Sequence, residues 1–344
     1  MSTLTVGLAS LSDFMARCLH KGGFSEDTAA QVSEHLLEAE MCGVHSHGVV
    51  RMAYYLDLVR AGELNPSTVS GVYRRDQAFW SVDGGGGLGI PAMNLAVDCL
   101  IESCKSSSVA AVAITNVGHT GRIGAFTARA ARQGLFAMCL GGGGGAKWAN
   151  VAPFGGIDPV IHTNPYSLAV ADGTDQPPYV DLAVSAIATG KVTLAATKGE
   201  LVPEGTLIDR NGLVTRDPNA LVNGGALLPA AGPKGSGLGI IAELVGGAML
   251  GSAFELNWLM LAVRADALRD DSAVYETNRA FATSVRASRP AQGHSSVQMP
   301  GDAEYTNSER ARQRGTLDVG VSVVDRLRAA GALLGEELLV EGIA

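Results

Sequence analysis

Residues 109–140 read VAAVAITNVGHTGRIGAFTARAARQGLFAMCL, and this stretch decides the fold class. Val109–Ile114 is a short apolar run, rich in β-branched residues and alanine, as a buried strand requires. It ends in Thr115-Asn116-Val117-Gly118-His119. The apolar spacing then predicts a helix from about Ile123 to Gln133, and Leu135–Leu140 reads as a second strand. Strand, polar loop, helix and strand in succession indicate an α/β protein. Such proteins put ligands at the carboxyl ends of strands. His119 and Arg122 lie in that loop and are candidates for chemistry; the same position also suits a histidine that only packs the loop.

Toward the N-terminus the texture is helical. Leu8, Leu11, Phe14, Met15, Cys18 and Leu19 recur at helical spacing, and Ser25-Glu26-Asp27 caps a second helix running to about Met41. The helical pattern continues from His45 to Arg60, with Met52, Tyr55, Leu56 and Val59 on one side. Within it lies His45-Ser46-His47-Gly48-Val49-Val50-Arg51. On an unbroken helix His47 and Arg51 share a face. Imidazole exchanges a proton near neutral pH, and guanidinium grips a carboxylate with two parallel hydrogen bonds. The pair therefore describes a pocket for a small acid; its plainer reading is a solvated polar helix start. Val69–Val82 alternates like strands, Asp83–Gly87 reads as a turn or flexible loop, and Pro91–Ser103 as a helix.

Toward the C-terminus, Gly141–Gly145 is five glycines in a row. It matches a dinucleotide fingerprint only because every position is glycine, so the expectation is a mobile loop that lets backbone approach a ligand. Leu168–Ala171 and Tyr179–Ala183 are strand-like. Asp181 suits either a ribose hydroxyl or a helix N-cap. Leu207–Gly212 carries an Asn-Gly hairpin signal. Gly232-Pro233-Lys234-Gly235 leads into a long apolar helix whose first turn and lysine would attract an anion, although the glycines equally serve close packing. Leu256–Val263 is a buried strand, and Ser272–Ser288 a helix with Tyr275, Phe281 and Val285 inward. Met299–Glu304 is a loop, and Asn307–Arg314 and Val319–Leu334 are closing helices.

With 344 residues, 47% of them hydrophobic and 17% charged, the chain suits two domains or one large domain with an added layer. A net charge of −8 and only one short basic cluster, Arg310–Arg314, give no footprint for nucleic acid. No apolar run is long enough to span a bilayer. Five cysteines form no metal-ligand spacing, so no metal is expected. They suit reduced thiols, and Met1-Ser2-Thr3-Leu4 does not open a signal peptide; a cytoplasmic protein is expected.

Six motifs then occur in order: Ser46-His47-Gly48 with Arg51; Asn116-Val117-Gly118-His119-Thr120-Gly121; Val151–Gly156; Thr163-Asn164-Pro165; Asp181–Ser185 with Gly190-Lys191; and Gly232–Gly235. With these, about residues 8–315 resemble the malate/L-lactate dehydrogenase type-2 family of NAD(P)-dependent oxidoreductases. The resemblance implies an α/β, non-Rossmann NAD(P)-binding fold with a helical layer built from both chain ends. Residues 1–72 would pack with 305–344 around a central dinucleotide-binding part, 73–304. It also implies a homodimer, NAD or NADP as cofactor, and a small carboxylate substrate. By the same resemblance His119 and His47 are the candidates for proton transfer, His119 first, and Arg51 with His47 binds substrate. Arg122, Ile123, Gly124, Val180, Asp181, Leu182, Ala183, Val184, Lys234, Asn257, Gly301, Asp302, Ala303 and Glu304 match positions that contact the dinucleotide. The segment between Gly251 and Asn257 is shorter than the family's usual loop there. The expected reaction is hydride transfer between nicotinamide and C2 of a 2-hydroxy or 2-oxo acid. Reduction of a cyclic 2-imino acid, Δ1-piperideine- or Δ1-pyrroline-2-carboxylate, is the alternative, and a non-catalytic dinucleotide-binding protein the other.

Overall fold

The computed structural model describes residues 2–340 and the backbone of 342–343. The chain opens with β1 (Thr3–Gly7), α1 (Leu8–Lys21), α2 (Glu26–Met41), a 3-10 turn (His45–His47) and α3 (Val50–Arg60). There follow β2 (Gly71–Arg74), β3 (Phe79–Gly87), α4 (Gly89–Cys104), β4 (Val109–Val117), α5 (Gly124–Ala131), β5 (Leu135–Gly142), β6 (Pro165–Val170) and β7 (Tyr179–Ala183). Next come α6 (Thr189–Lys198), the short strands β8 (Leu207–Ile208), β9 (Val214–Thr215) and β10 (Ala226–Leu227), and α7 (Pro233–Glu243), which widens into a π-turn (Leu244–Met249). The chain closes with β11 (Leu256–Arg264), α8 (Asp271–Arg286), α9 (Asp302–Arg314), β12 (Thr316–Gly320), α10 (Val321–Ala332) and β13 (Gly342–Ile343).

The central sheet has the order β2-β3-β4-β11-β5-β6-β7. Only β3 and β4 are parallel, joined by α4; every other pair is antiparallel. The strand–helix–strand unit of residues 109–140 is present, but its two strands are not neighbours. β11 inserts between β4 and β5, antiparallel to both, so those two run the same way. One apolar cluster joins the helices at both chain ends to the sheet, through Phe14, Leu36, Tyr55, Met93, Ile114, Phe126, Met260 and Leu327. Fully burying one such side chain stabilises by roughly 1.5–3 kcal/mol, so this seam holds the layers together. A second cluster around Val151, Ile161, Leu207 and Leu227 sits under the small sheet β10-β8-β9.

Several expectations from sequence change here. The helix from His45 to Arg60 is broken: Gly48 is extended (φ −88°, ψ −152°), so His47 and Arg51 lie on separate elements. Asp83–Gly87 is the end of β3, with an irregular register and left-handed Gly85 and Gly86, rather than a free loop. Gly141 and Gly142 end β5, paired with Trp258 and Asn257. A Cβ on Gly142 would sit 2.0 Å from the Ala242 carbonyl oxygen, and one on Gly143 2.4 Å from the Gly246 backbone. These glycines let β5 lie against α7 and its π-turn; what they approach closely is protein. Phe281 is 66% exposed, because the packed face of α8 runs through Tyr275, Asn278, Ala282 and Val285, one residue out of phase with it. Residues 319–320 belong to β12, which pairs with β1 from Thr3↔Gly320 to Gly7↔Thr316. α9 begins at Asp302, inside the expected loop.

Candidate active site

A buried carboxylate sets the turn before α3. Glu40, 6% exposed, accepts from His45 Nδ1 at 2.6 Å and from the Val49 amide at 3.0 Å. A Cβ on Gly48 would lie 2.0 Å from Glu40 Oε2, so any larger residue there must displace the buried carboxylate or the turn it holds. The turn presents three groups. The Ser46 hydroxyl meets His47 Nδ1 at 2.9 Å, and the Ser46 carbonyl accepts from Arg51 Nε at 2.7 Å. Arg51 lies over the Tyr54 ring at 5.5 Å. No described carboxylate reaches ion-pair distance of it. The two residues expected to share a helix face are thus brought together by Ser46, across a break in the helix.

His119 follows β4 and stacks on His47, with ring centroids 5.4 Å apart and planes inclined by 23°. Its Nδ1 accepts from the Gly121 amide at 3.2 Å and meets the Tyr55 hydroxyl at 2.7 Å. An amide can only donate, so Nδ1 is bare, Tyr55 donates as well, and the ring hydrogen sits on Nε2. Nε2 has no partner among the described residues. Desolvation, with the nearby positive charge of Arg51, holds His119 well below the usual imidazole range. The same two causes, with Arg122, hold His47 at about 4. Both rings are therefore neutral at pH 7.

The residues expected at the dinucleotide fall into three groups. Around α5, Arg122 is 4% exposed and donates to the Tyr179 hydroxyl (2.8 Å) and to Glu38 Oε1 (3.1 Å), while its amide donates to His35 Nε2 (2.9 Å). Among the described residues its Nε has no partner. Ile123 is buried, and the Gly124 amide donates to Asp181 Oδ2 at 2.7 Å, tying α5 to the edge strand β7 with Val180, Leu182 and Ala183. Gly301 has a φ of +94° and packs on the Tyr179 ring, which brings the start of α9 to this group. There Ala303 is exposed and Glu304 half-buried, but Asp302 is committed to Arg286 (2.9 and 2.6 Å) and to the Met299 amide. The second group is at α7. Lys234 is exposed in its first turn, beside Val184, whose carbonyl accepts from Ala230 at 2.7 Å. Asn257 stands apart: fully buried, it donates to Gly246 (3.0 Å) and Gly251 (2.8 Å), and so holds the π-turn to β11.

These groups fit a dinucleotide in their chemistry. An exposed lysine at the start of α7 suits a phosphate, and the buried Arg122 Nε is a donor still lacking an acceptor among the described residues. Sequence reasoning missed Glu40, Tyr55 as a polar group, Tyr179, and Glu255, which precedes β11. Burial pushes the Glu255 carboxyl up to about 7 against the fields of Arg51 and Lys147. Tyr55 was visible only as an apolar position on α3, and no local pattern marks Glu255.

The profile of the malate/L-lactate dehydrogenase family matches residues 6–328. A Delta(1)-pyrroline-2-carboxylate/Delta(1)-piperideine-2-carboxylate reductase of Pseudomonas syringae pv. tomato is 35% identical over 258 residues, 74% of either chain. A ureidoglycolate dehydrogenase (NAD(+)) of Escherichia coli O157:H7 is 32% identical over 73% of this chain and 70% of its own. The malate dehydrogenase of Entamoeba histolytica superposes with a TM-score of 0.91 at 21% identity, covering 98% of this chain and 99% of its own, which shows the shared fold. The chain belongs to the malate/L-lactate dehydrogenase family and is an NAD(P)-dependent oxidoreductase.

Proposed function

We propose that the protein transfers a hydride between nicotinamide and C2 of a small 2-hydroxy or 2-oxo carboxylic acid. One observation carries this reading: Arg51, with no carboxylate of its own, stands beside the stacked, neutral His47 and His119. When bound, the cofactor supplies the two-electron chemistry. Arg51 holds the substrate carboxylate in a bidentate grip and so orients C2. His119 aims its Nε2–H at the C2 oxygen and stabilises the charge that grows there, while Tyr55 and the Gly121 amide fix the ring. Arg122, Gly124, Asp181, Lys234, Gly301 and Glu304 hold the dinucleotide in this reading, and Asn257 shapes its pocket from behind. Residues 73–304 supply most of that surface, and residues 1–72, packed with 305–344, supply Arg51 and His47.

The test is oxidation of NADH and of NADPH with pyruvate, oxaloacetate and Δ1-piperideine-2-carboxylate. Turnover of pyruvate or oxaloacetate supports the reading; turnover of neither with either cofactor sinks it. Reduction of cyclic 2-imino acids is the second reading, favoured by the unpaired Glu255 carboxylate at the same site. The proposal includes a homodimer, because Leu238, Ile241 and Leu244 on α7 and its π-turn expose an apolar face. Sedimentation as a monomer would remove that part. A cytoplasmic location fits the five buried free thiols and is checked by fractionation. No described helix is long and apolar enough to cross a membrane.

A further inference from the structure

Two groups of opposite charge stand at the candidate site without closing on each other. Among the described residues Arg51 is occupied only by the Ser46 carbonyl and the Tyr54 ring. Glu255 comes from the other side. Leu256 pairs with Val117 in antiparallel register, so Glu255 enters β11 beside the end of β4, two residues before His119. The Phe254 ring is 3.6 Å from the point a Cβ on Gly118 would occupy, and the Glu255 carbonyl oxygen 2.9 Å from that of Gly144. The Glu255 side chain is half-buried, and among the described residues nothing hydrogen-bonds to its carboxylate or pairs with it. The cations that act on it are Arg51 from α3 and Lys147 from the segment after β5, and its charge in turn acts on Tyr54 and Tyr55. A half-buried carboxylate and a guanidinium, each short of a partner, are costly alone. A ligand carrying both an anion and a cation satisfies both at once.

We propose that Glu255 is a specificity-determining residue that binds the positively charged C2 nitrogen of a 2-imino acid, while Arg51 binds its carboxylate. This rests on the hydride transfer proposed above and favours its second substrate class, the 2-imino acids, over the first. In the step, C2 of the C=N–H⁺ bond gains a hydride and the π pair moves onto nitrogen. Iminium becomes secondary amine as the reduced cofactor is oxidised. The amine then takes one proton, and Glu255 holds the resulting ammonium. A 2-oxo acid offers Glu255 no cation, and its C2 oxygen would build negative charge beside a carboxylate.

The experiment compares kcat/KM for Δ1-piperideine-2-carboxylate and for pyruvate in the wild type and in Glu255→Gln. The ratio, imino over oxo acid, is expected to fall roughly ten- to a hundred-fold in the variant, the size of one charge-assisted hydrogen bond. An unchanged or rising ratio overturns the proposal. A second measurement needs no variant: binding of pipecolate and of cyclohexanecarboxylate to the wild type with oxidised cofactor. Pipecolate is expected to bind about ten-fold tighter or more; equal affinity overturns the proposal. A wild type that reduces neither class refutes the hydride-transfer reading instead, and the binding comparison still decides Glu255.

Discussion

His119 is the residue on which the chemistry turns, and its surroundings determine how it acts. Two donors on Nδ1 leave Nε2–H as the ring's free edge. Replacing His119 with alanine is expected to lower kcat by about 10²–10⁴ while the dissociation constant for reduced cofactor changes little. Near-wild-type turnover in steady-state assays would show that another group handles the proton. Arg51 separates binding from chemistry. Arg51→Lys keeps the charge but loses the fork, so KM for the acid should rise roughly ten-fold or more with a smaller change in kcat. An unchanged KM would mean the carboxylate binds elsewhere. Tyr55 shows the limit of reading residues one at a time. Its helical spacing marked it correctly as core, and it is fully buried, yet its hydroxyl reaches a histidine 64 positions away. A side chain that is apolar along its length and polar at its tip gives the sequence only one of its two roles.

Elements were legible where local chemistry alone decides them. α1, α2 and α4, with the strands β4 and β5, follow from apolar period and capping; Ser25 accepts from the Thr28 amide at 3.1 Å, as its position before α2 predicts. Elements set by a distant partner were not legible. β1 and β12 are five residues each and exist because they pair with each other, so residues 319–320 read as helix until that register is known. The insertion of β11 between β4 and β5 is likewise invisible from residues 109–140 alone. The turn at residues 45–49 lies between these cases. Its histidines and arginine announced a site, but the helix break that builds it depends on Glu40. Gly48→Ala tests this element. The added Cβ meets the Glu40 carboxylate, which must either leave the Val49 amide and His45 or push the turn away, and either change loosens the turn whose Ser46 contacts aim His47 and Arg51. The variant should lose about 1–3 kcal/mol of stability in urea unfolding and show a raised KM for the acid. A variant as stable and as active as the wild type would show that the turn does not depend on this contact.

At the scale of the whole molecule, the helical layer and the sheet meet through histidines that are held neutral. His35 stacks on Phe126 with centroids 5.0 Å apart and accepts from the Arg122 amide, and burial pushes it down to about 3. His47, at about 4, His119 and His162 are also depressed, each chiefly by desolvation. An unfolded chain protonates these rings near the usual value of about 6.5, whereas the folded one does not. Below that pH the unfolded state therefore binds more protons, and the stability these groups contribute is lost as the pH falls. Glu255 and Asp181 act in the opposite direction, since desolvation raises their folded values and they gain protons on acidification. His45, raised by its bond to Glu40, acts only above about pH 6.5. Four histidines against two carboxylates leave a net loss between about pH 6 and 5, so the urea midpoint should fall across that interval. His35→Gln isolates one member of the set. Whatever it does to stability at pH 7, it removes one titrating ring, and the slope of unfolding free energy against pH should flatten by about 1.4 kcal/mol per pH unit. Parallel slopes for the variant and the wild type would show that His35 already carries its proton in the folded protein, and that the Arg122 amide is not what its Nε2 accepts.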